Sequence, residues 1–201
     1  MMLALDAVAP DWRTLRIHES SPVRRGLSPV LAAECPGYVE SAYRPGVELG
    51  STIGTSRCED LERQTFPDAS FDIVVTQDVM EHVFDPASAY REIARTLKPG
   101  GLHLHTTPIY PDLERSERRA EMRDDKVHHL AEPEYHGTNR DLVTYHYGQD
   151  LASLIRDWSG VEVDIHRYED RHHGILGEFM EVIVCRKPQP PKGRAPAQHA
   201  T

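Results

Sequence analysis

The sequence contains few cysteines, and their spacing excludes two classes of small protein. Cys35, Cys58 and Cys185 are the three cysteines among 201 residues, and no two of them form a CxxC pair. An odd number of widely spaced cysteines indicates neither a disulfide framework nor a zinc ribbon. We therefore expect reduced thiols in a cytoplasmic protein, with Cys58 and Cys185 acting as small apolar residues within strands.

Long hydrophobic runs and an excess of positive charge are also missing. No apolar run approaches the ~20 residues that cross a bilayer, so no membrane contact is expected. Lys and Arg number 23 against 32 Asp and Glu, which gives a net charge of −9. Because an acidic surface repels a phosphate backbone, nucleic acid is not an expected partner. A homodimer is compatible with the sequence, which does not decide the oligomeric state.

Three motifs of nucleotide and hydrolase chemistry are absent as well. The sequence has no GK[ST] of a P-loop, no GxGxxG fingerprint of a nicotinamide dehydrogenase and no GxSxG elbow of a serine hydrolase. Its histidines and acidic residues include ligand types for a divalent ion. No histidine pair has the HxxxH spacing of a helical metal site, however, so no metal is expected.

Strand and helix patterns alternate along the chain and predict one domain over residues 1–187. Residues 188–201 are rich in proline, alanine and polar groups and are predicted to be a disordered tail. Ser28 before Pro29 predicts an N-cap and a first helical position. No helix is predicted ahead of the first strand. The predicted strands cover 15–18, 38–42, 53–58, 71–76, 102–106, 161–167 and 179–186, and the predicted helices cover 27–34, 85–97 and 148–159.

The clearest unit lies in the middle of the chain. Residues 71–76 form a β-branched run typical of a strand buried on both faces. Asp85 and Pro86 predict a helix start, and the KPGG sequence at 98–101 ends that helix before the next strand. Strand, helix and strand in this order imply parallel pairing through a right-handed crossover. The expected fold class is α/β, a Rossmann-like doubly wound, mostly parallel sheet with an antiparallel last strand pair.

Residues 58–108 contain an ordered set of motifs. An acidic residue, the linker FPDASFD, a buried strand, an EH turn, a helix and LKPGG follow one another there. This order resembles the middle of a class I S-adenosylmethionine-dependent methyltransferase of the type 11 group, and a looser resemblance covers residues 14–187. It implies S-adenosylmethionine as cofactor and methyl transfer to an oxygen or nitrogen of a small-molecule or glycan-type acceptor. The alternative is a catalytically degenerate binding or partner subunit.

The resemblance also implies cofactor-binding positions. Asp60 would accept a hydrogen bond from the adenine amine, and Leu61 would line the apolar slot; a turn-capping role is the alternative for Asp60. Ligands of open α/β sheets bind beyond the carboxyl ends of the strands. Three residues occupy that edge after the fourth strand, where the sulfonium side of the cofactor would lie: Gln77, Asp78 and Val79. Glu81 and His82 match the family's turn, with a structural role as the alternative for His82.

The first loop departs from the family's pattern. Family members carry an acidic-x-G-x-G-x-G loop, in which glycine lets the backbone approach the cofactor. Here Glu19 would be the acidic residue, Ser20 and its neighbours replace glycines, and Gly26 is the glycine that remains. The acid that would bind the ribose is best matched by Glu40, with Ser41 as the alternative.

A polar segment, residues 109–147, is too long for a simple connection in a compact domain. We expect it to form the acceptor side. A hydroxyl acceptor must lose a proton, and a histidine that titrates near neutral pH suits that base role. His136 is the first candidate because Gly137 permits an exposed turn beside it, and His146 is the second. A polar loop with incidental histidines is the alternative.

Overall fold

A computed structural model of the chain describes residues 1–137, 140–172 and 174–190. Most of the predicted tail, residues 191–201, lies outside the described residues, so its disorder stays a prediction. Residues 188–190 follow the last strand without regular secondary structure.

Four α-helices and fourteen strands are found among the described residues, and none of these helices is long and apolar enough to cross a membrane. In chain order they are α1 (Met2–Val8), β1 (Ile17–Ser20), α2 (Leu27–Glu34), β2 (Tyr38–Ala42), β3 (Thr52–Ile53), β4 (Ser56–Cys58), β5 (Phe71–Gln77), α3 (Pro86–Thr96), β6 (Leu97–Thr106), β7 (Glu117–Arg118), β8 (Ala120–Arg123), β9 (Lys126–His129), β10 (Tyr135–His136), β11 (Asp141–Leu142), β12 (Tyr145–His146), α4 (Leu151–Ser159), β13 (Glu162–Arg167) and β14 (Glu181–Arg186).

Eight of the strands form one sheet in the order β13-β14-β6-β5-β1-β2-β4-β3. The pairs from β6 through β5, β1 and β2 to β4 are parallel. At one edge β14 pairs antiparallel with β6 and β13 antiparallel with β14. The expected fold class is therefore confirmed, including the antiparallel last pair and the parallel β5–α3–β6 unit.

The sheet is buried because helices cover both of its faces. Val74 of β5 packs in one apolar cluster with residues of α3 and α4, whereas Ile73 and Val75 pack in a second cluster with residues of α1 and α2. This alternation explains why β5 reads as a continuous apolar run. The three cysteines are free and buried, as expected.

The helix α1 contradicts the expectation that no helix precedes the first strand. Ala4 and Leu5 are fully buried and pack in one cluster with Trp12 and Ile17. The helix has 7 residues and no side-chain cap, so neither periodicity nor a capping residue marked it in the sequence. Its position is set by burial of these apolar side chains.

Two further expectations about element ends were wrong. Ser28 lies inside α2 and does not cap it; Gly26 is the N-cap residue, with φ 62° and ψ −124°. The glycines of LKPGG do not separate helix from strand, because β6 begins at Leu97 and runs through them. A Cβ on Gly101 would lie 2.9 Å from the carbonyl oxygens of Asp72 and Lys98, so this glycine permits a close backbone approach.

The segment 109–147 contains three short antiparallel strand pairs: β7 with β12, β8 with β9, and β10 with β11. Thr144 attaches this segment to the turn after β5. Its backbone N–H donates to the carbonyl of Glu81 at 2.8 Å, and its Oγ1 donates to the carbonyl of Val83 at 2.6 Å. These bonds hold the segment beside the carboxyl edge of the sheet.

Candidate functional site

A cavity of about 1360 Å³ lies at the carboxyl ends of β1, β2 and β5. Small-molecule sites usually measure ~300–1,000 Å³, so this cavity has room for more than one ligand. Met122, Asp125 and Asp141 of the segment 109–147 lie on its wall. The sequence-predicted residues that line it are Ser20, Glu40, Asp60, Leu61, Gln77, Asp78 and Val79, whereas Glu19 and Gly26 do not.

Glu19 is fully buried and holds the first loop together. Its Oε1 accepts hydrogen bonds from the Ser28 hydroxyl and from Gln77 Nε2, both at 2.7 Å. Its Oε2 accepts from the Tyr38 hydroxyl at 2.7 Å. Glu19 therefore joins β1, α2, β2 and β5 behind the cavity wall.

The first loop keeps the cavity open although most family glycines are replaced. Ser20, Ser21 and Pro22 all lie on the wall and do not fill the space. Ser21 has φ 57°, a left-handed conformation that glycine adopts more readily, and its N–H donates to the Ser41 carbonyl at 2.7 Å. Gly26 has a positive φ, and a Cβ there would meet no atom within 4 Å. Without the other glycines, the loop thus still leaves the cavity open.

Glu40, in the middle of β2, is the acidic residue that this strand brings to the cavity. Its carboxylate accepts a hydrogen bond from the Thr55 hydroxyl. The alternative, Ser41, was wrong: it is fully buried, and its Oγ lies 2.8 Å from Nε2 of the buried His18. Neighbouring residues of a strand point to opposite faces, which excludes Ser41 from this wall.

Asp60 and Leu61 follow β4 and both line the cavity. Asp60 accepts hydrogen bonds from the Glu62 N–H at 3.0 Å and from Arg63 Nε at 3.1 Å. The turn-capping contacts are therefore present, and they hold a carboxylate at the rim. Leu61 is buried in the same apolar cluster as Met80. A charged acceptor and an apolar surface thus stand next to each other.

The segment after β5 is held in a tight turn. Asp78 has φ 51°, and its N–H donates to the Thr106 carbonyl at 3.1 Å. Its Oδ1 accepts from the Thr106 hydroxyl at 2.8 Å. Val79 is partly buried against the core. These contacts fix the backbone at the carboxyl edge where the sequence predicted ligand binding.

Glu81 and His82 lie in a single 3-10 turn, Met80–His82, beyond that edge. Glu81 is buried, and this burial raises its pKa to about 7. Its Oε2 accepts from the Thr107 hydroxyl at 2.9 Å. Its Oε1 lies 3.9 Å from His82 Nε2 and finds no hydrogen-bond partner in the part of the chain that the structure describes. His82 lines the cavity, and its Nδ1 lies 2.8 Å from the carbonyl oxygen of Leu142.

Of the two predicted bases, His136 lies nearer the cavity. Its ring is perpendicular to that of His82, with 5.3 Å between the ring centroids. His146 does not line the cavity; its ring stacks on Tyr110 with a centroid distance of 4.4 Å. Glu134 links the two candidates, because its Oε1 lies 3.3 Å from His136 Nε2 and its Oε2 lies 2.7 Å from His146 Nε2.

These two histidines lower the pKa of the Glu134 carboxyl. Burial alone would raise the pKa of its carboxyl, but the hydrogen bonds and positive charge of His146 and His136 lower it below its usual value. Glu134 is therefore a carboxylate partner that can orient both rings. The sequence placed these residues near one another but did not show which histidine the cavity would receive.

Three residues on the side of the cavity formed by the segment 109–147 were not predicted from the sequence. Met122, Asp125 and Asp141 lie on or beside strands of two to four residues. Strands this short carry no measurable alternation, so no pattern distinguished these side chains from other polar loop residues.

Comparison with known sequences gives a family for the centre of the chain. Residues 35–105 match the family described as a methyltransferase domain. A probable S-adenosylmethionine-dependent methyltransferase of Mycobacterium tuberculosis is 45% identical over 71 residues, which are 35% of this chain and 23% of that protein. The chain spans between 19% and 32% of the length of the curated relatives that it matches.

Solved structures share the fold at low sequence identity. A crystal structure of an S-adenosylmethionine-dependent methyltransferase from Mesorhizobium loti has a TM-score of 0.62 at 15% identity, covering 92% of this chain and 96% of that one. The 1,6-didemethyltoxoflavin-N1-methyltransferase of Burkholderia thailandensis, solved with that compound and S-adenosylhomocysteine, has a TM-score of 0.57 at 16% identity. This match covers 93% of this chain and 76% of that one.

The lining of the cavity fits S-adenosylmethionine, the cofactor after which these relatives are named. Glu40 and Asp60 offer carboxylate acceptors for hydroxyl and amine groups, and Leu61 offers an apolar surface for a base. Further carboxylates of the wall, Asp78 and Asp125 among them, suit a positively charged sulfonium. The predicted cofactor is thus confirmed at the level of the family. Residues 35–105 thus match a methyltransferase domain, and the chain shares the fold of solved S-adenosylmethionine-dependent methyltransferases.

Proposed function

We propose that the chain binds S-adenosylmethionine in the 1360 Å³ cavity and transfers a methyl group to an oxygen or nitrogen of a small-molecule or glycan-type acceptor. One observation carries the proposal: a single cavity joins the predicted cofactor residues of the sheet edge to residues of the segment 109–147. Bound S-adenosylmethionine would supply an electrophilic methyl group on a sulfonium.

The cofactor half of the site is assigned to the sheet edge. We assign the ribose hydroxyls to Glu40, the adenine amine to Asp60 and the apolar face of the base to Leu61. Gln77, Asp78 and Val79 would border the methionine part. Glu19 acts through other residues, because its hydrogen bonds to Ser28, Tyr38 and Gln77 hold the loop from which Ser20 faces the cavity.

The acceptor half is assigned to the segment 109–147 within a single domain, residues 1–187. Methyl transfer is an in-line displacement, so the protein must hold the acceptor atom behind the methyl group. His82 on the wall and His136 beside it are the groups that we place at the acceptor. His146 would act indirectly, by holding Glu134 against His136.

Calorimetry with S-adenosylhomocysteine tests the cofactor half. Asp60→Asn should weaken binding about tenfold or more, because a charge-assisted hydrogen bond contributes ~1.5–3 kcal/mol. Asp68→Asn is the matched control: Asp68 is exposed, pairs with Arg95 and does not line the cavity. Wild-type protein that binds neither S-adenosylmethionine nor S-adenosylhomocysteine would refute the proposal.

Turnover with a panel of acceptors separates the enzyme from a degenerate binding subunit. S-adenosylmethionine labelled in the methyl group is incubated with hydroxyl- and amine-bearing small molecules and glycosides. Label appearing in an acceptor, with release of S-adenosylhomocysteine, supports the enzyme. Cofactor binding without transfer to any member of the panel supports the degenerate alternative.

A further inference from the structure

Three side chains of metal-ligand type converge at the acceptor end of the cavity. One ligand atom from each of Glu81, His82 and His136 lies within 4.8 Å of the other two. We infer that these residues form a binding site for a divalent transition-metal ion. The sequence predicted no metal, because these ligands come from a turn and from a distant short strand and share no recognisable spacing.

The hydrogen bonds of the two histidines leave one nitrogen of each ring available. His82 Nδ1 contacts the carbonyl oxygen of Leu142, which accepts only, so Nδ1 is the donor and Nε2 is the nitrogen available to bind a metal ion. His136 Nε2 contacts the carboxylate of Glu134, which leaves Nδ1 as the nitrogen available to bind a metal ion. Metal-binding histidines characteristically donate their other N–H to a backbone carbonyl or to a carboxylate. Both partner types are present here.

The carboxylate of Glu81 supplies an independent observation. Glu81 is 1% exposed, and its Oε1 has no hydrogen-bond partner among the described residues although it lies 3.9 Å from His82 Nε2. Glu81 Oε1 and His82 Nε2 thus face each other beyond hydrogen-bond distance. A cation between them satisfies both atoms. The other oxygen is already fixed by the Thr107 hydroxyl, so the carboxylate is oriented.

The distances permit coordination after a small movement. Zinc binds histidine nitrogen at ~2.0–2.1 Å and carboxylate oxygen at ~2.0–2.2 Å, so a nitrogen and an oxygen on one ion lie at most about 4.3 Å apart. The 3.9 Å between Glu81 Oε1 and His82 Nε2 falls within that limit. All three ligand atoms lie within 4.8 Å of one another, so a pair at that upper bound must move closer for one ion to bind all three.

The donor set identifies the class of metal. Two imidazoles and one carboxylate suit Zn²⁺, Fe²⁺ or Co²⁺ rather than Mg²⁺ or Ca²⁺, which prefer oxygen ligands alone. Nearby acidic groups, Glu134 and Asp78, favour a cation. Three protein ligands also leave open coordination positions. One of these open positions, beside the cavity, would be occupied by an oxygen of the acceptor. This last point rests on the proposed methyl transfer.

Zinc binding to the chelator-stripped chain tests the inference. Crystals soaked in Zn²⁺ are measured on both sides of the zinc absorption edge. Anomalous density between Glu81, His82 and His136 is the expected result. No site, or zinc bound elsewhere without density at these residues, would overturn the inference.

Calorimetry with Zn²⁺ gives the matched comparison in solution. Glu81→Gln and His136→Ala should each weaken affinity about 100-fold. Glu134→Gln should weaken it about tenfold, because it removes an orienting partner and keeps all three ligands. His128→Ala, in the exposed strand β9, is the control and should leave affinity unchanged. Equal affinity of Glu81→Gln and wild type would contradict the inference.

Binding of S-adenosylhomocysteine to the same variants separates the two proposals. Glu81→Gln that retains its circular dichroism spectrum and its S-adenosylhomocysteine affinity while losing Zn²⁺ supports the metal site. Wild type that binds S-adenosylhomocysteine and not Zn²⁺ refutes the metal site alone. Wild type that binds Zn²⁺ at these residues and no S-adenosylhomocysteine refutes the proposed function and leaves the metal site standing.

Discussion

The buried carboxylate of Glu19 accepts a hydrogen bond of 2.7 Å from the hydroxyl of Ser28, which connects the end of β1 to the first turn of α2. The same hydroxyl accepts from the N–H of Val23 at 3.2 Å. Ser28 thus bridges the strand and the loop that leaves it. This pair therefore holds the loop between β1 and α2, which lies on the cavity wall.

Replacement of Glu19 should affect stability first. Glu19→Ala leaves the donors of Ser28, Tyr38 and Gln77 without their shared acceptor, and hydrogen bonds to a charged group contribute ~1.5–3 kcal/mol each. We expect the free energy of unfolding in urea to fall by about 3–5 kcal/mol. A loss below ~1 kcal/mol would show that the loop does not depend on this carboxylate.

Replacement of Glu40 should affect the cofactor instead. Its carboxylate lies on the cavity wall with Thr55 as its hydrogen-bond partner. We expect Glu40→Gln to lower S-adenosylhomocysteine affinity about tenfold or more, with a change in unfolding free energy below ~1 kcal/mol. Glu48→Gln, an exposed neighbour outside the wall, is the control. Unchanged affinity in Glu40→Gln calorimetry would remove the ribose assignment.

Gly26 and Gly160 should respond differently to asparagine. Both have positive φ, and a Cβ at either would meet no atom within 4 Å. Gly160 has φ 71° and ψ 14°, near the left-handed helical region that asparagine tolerates, whereas ψ at Gly26 is −124°, far outside it. We expect Gly26→Asn to cost ~1–3 kcal/mol of unfolding free energy and Gly160→Asn to cost less than ~1 kcal/mol. Equal losses of unfolding free energy in the two variants would show that backbone strain does not determine the effect of substitution at Gly26.

Acid should destabilise the fold through its buried histidines. Burial lowers the pKa of His18 and of His105 to about 3 from 6.5. His18 contacts Ser41, Phe66 and Phe71, and His105 stacks on the buried His103. Because the unfolded chain binds these protons first, their contribution is complete above pH ~6.5 and is lost as pH falls toward ~3.

The contribution of His18 can be isolated by substitution. Below pH 6.5 each such histidine lowers the unfolding free energy by up to ~1.4 kcal/mol per pH unit. His18→Gln should therefore show a smaller slope than wild type, by about one proton, in urea unfolding between pH 6.5 and 5. Subtracting the slope of the variant from that of wild type cancels the contributions of other titrating groups. Glu81 is one of them, and its raised pKa makes the fold more stable as the pH falls, opposite to the buried histidines. Identical slopes would contradict burial of a neutral His18.

The central part of the fold could be predicted because each of its elements carries a local pattern. The residues 71–76 are buried on both faces, and Asp85 caps α3 by accepting from the Ser88 N–H at 3.2 Å. Position at the sheet edge follows from strand order alone, so Asp60 and Gln77 reached the cavity as predicted. The helix α1 carried no such pattern because it is short and uncapped.

The acceptor side could not be predicted to the same depth. Glu81, His82 and His136 meet because Thr144 and Leu142 hold the segment 109–147 against the turn after β5. Those bonds form between residues far apart in sequence, so no regular spacing in the sequence predicts them. The sequence therefore named histidines of the right segment without showing which of them faces the cavity.

The proposed cofactor site is best tested by a crystal structure with S-adenosylhomocysteine at saturating concentration. We expect density in the cavity at the carboxyl edge of the sheet, with Glu40 and Asp60 within hydrogen-bond distance of the nucleoside and Leu61 against the base. An empty cavity, or the ligand bound elsewhere on the molecule, would contradict it.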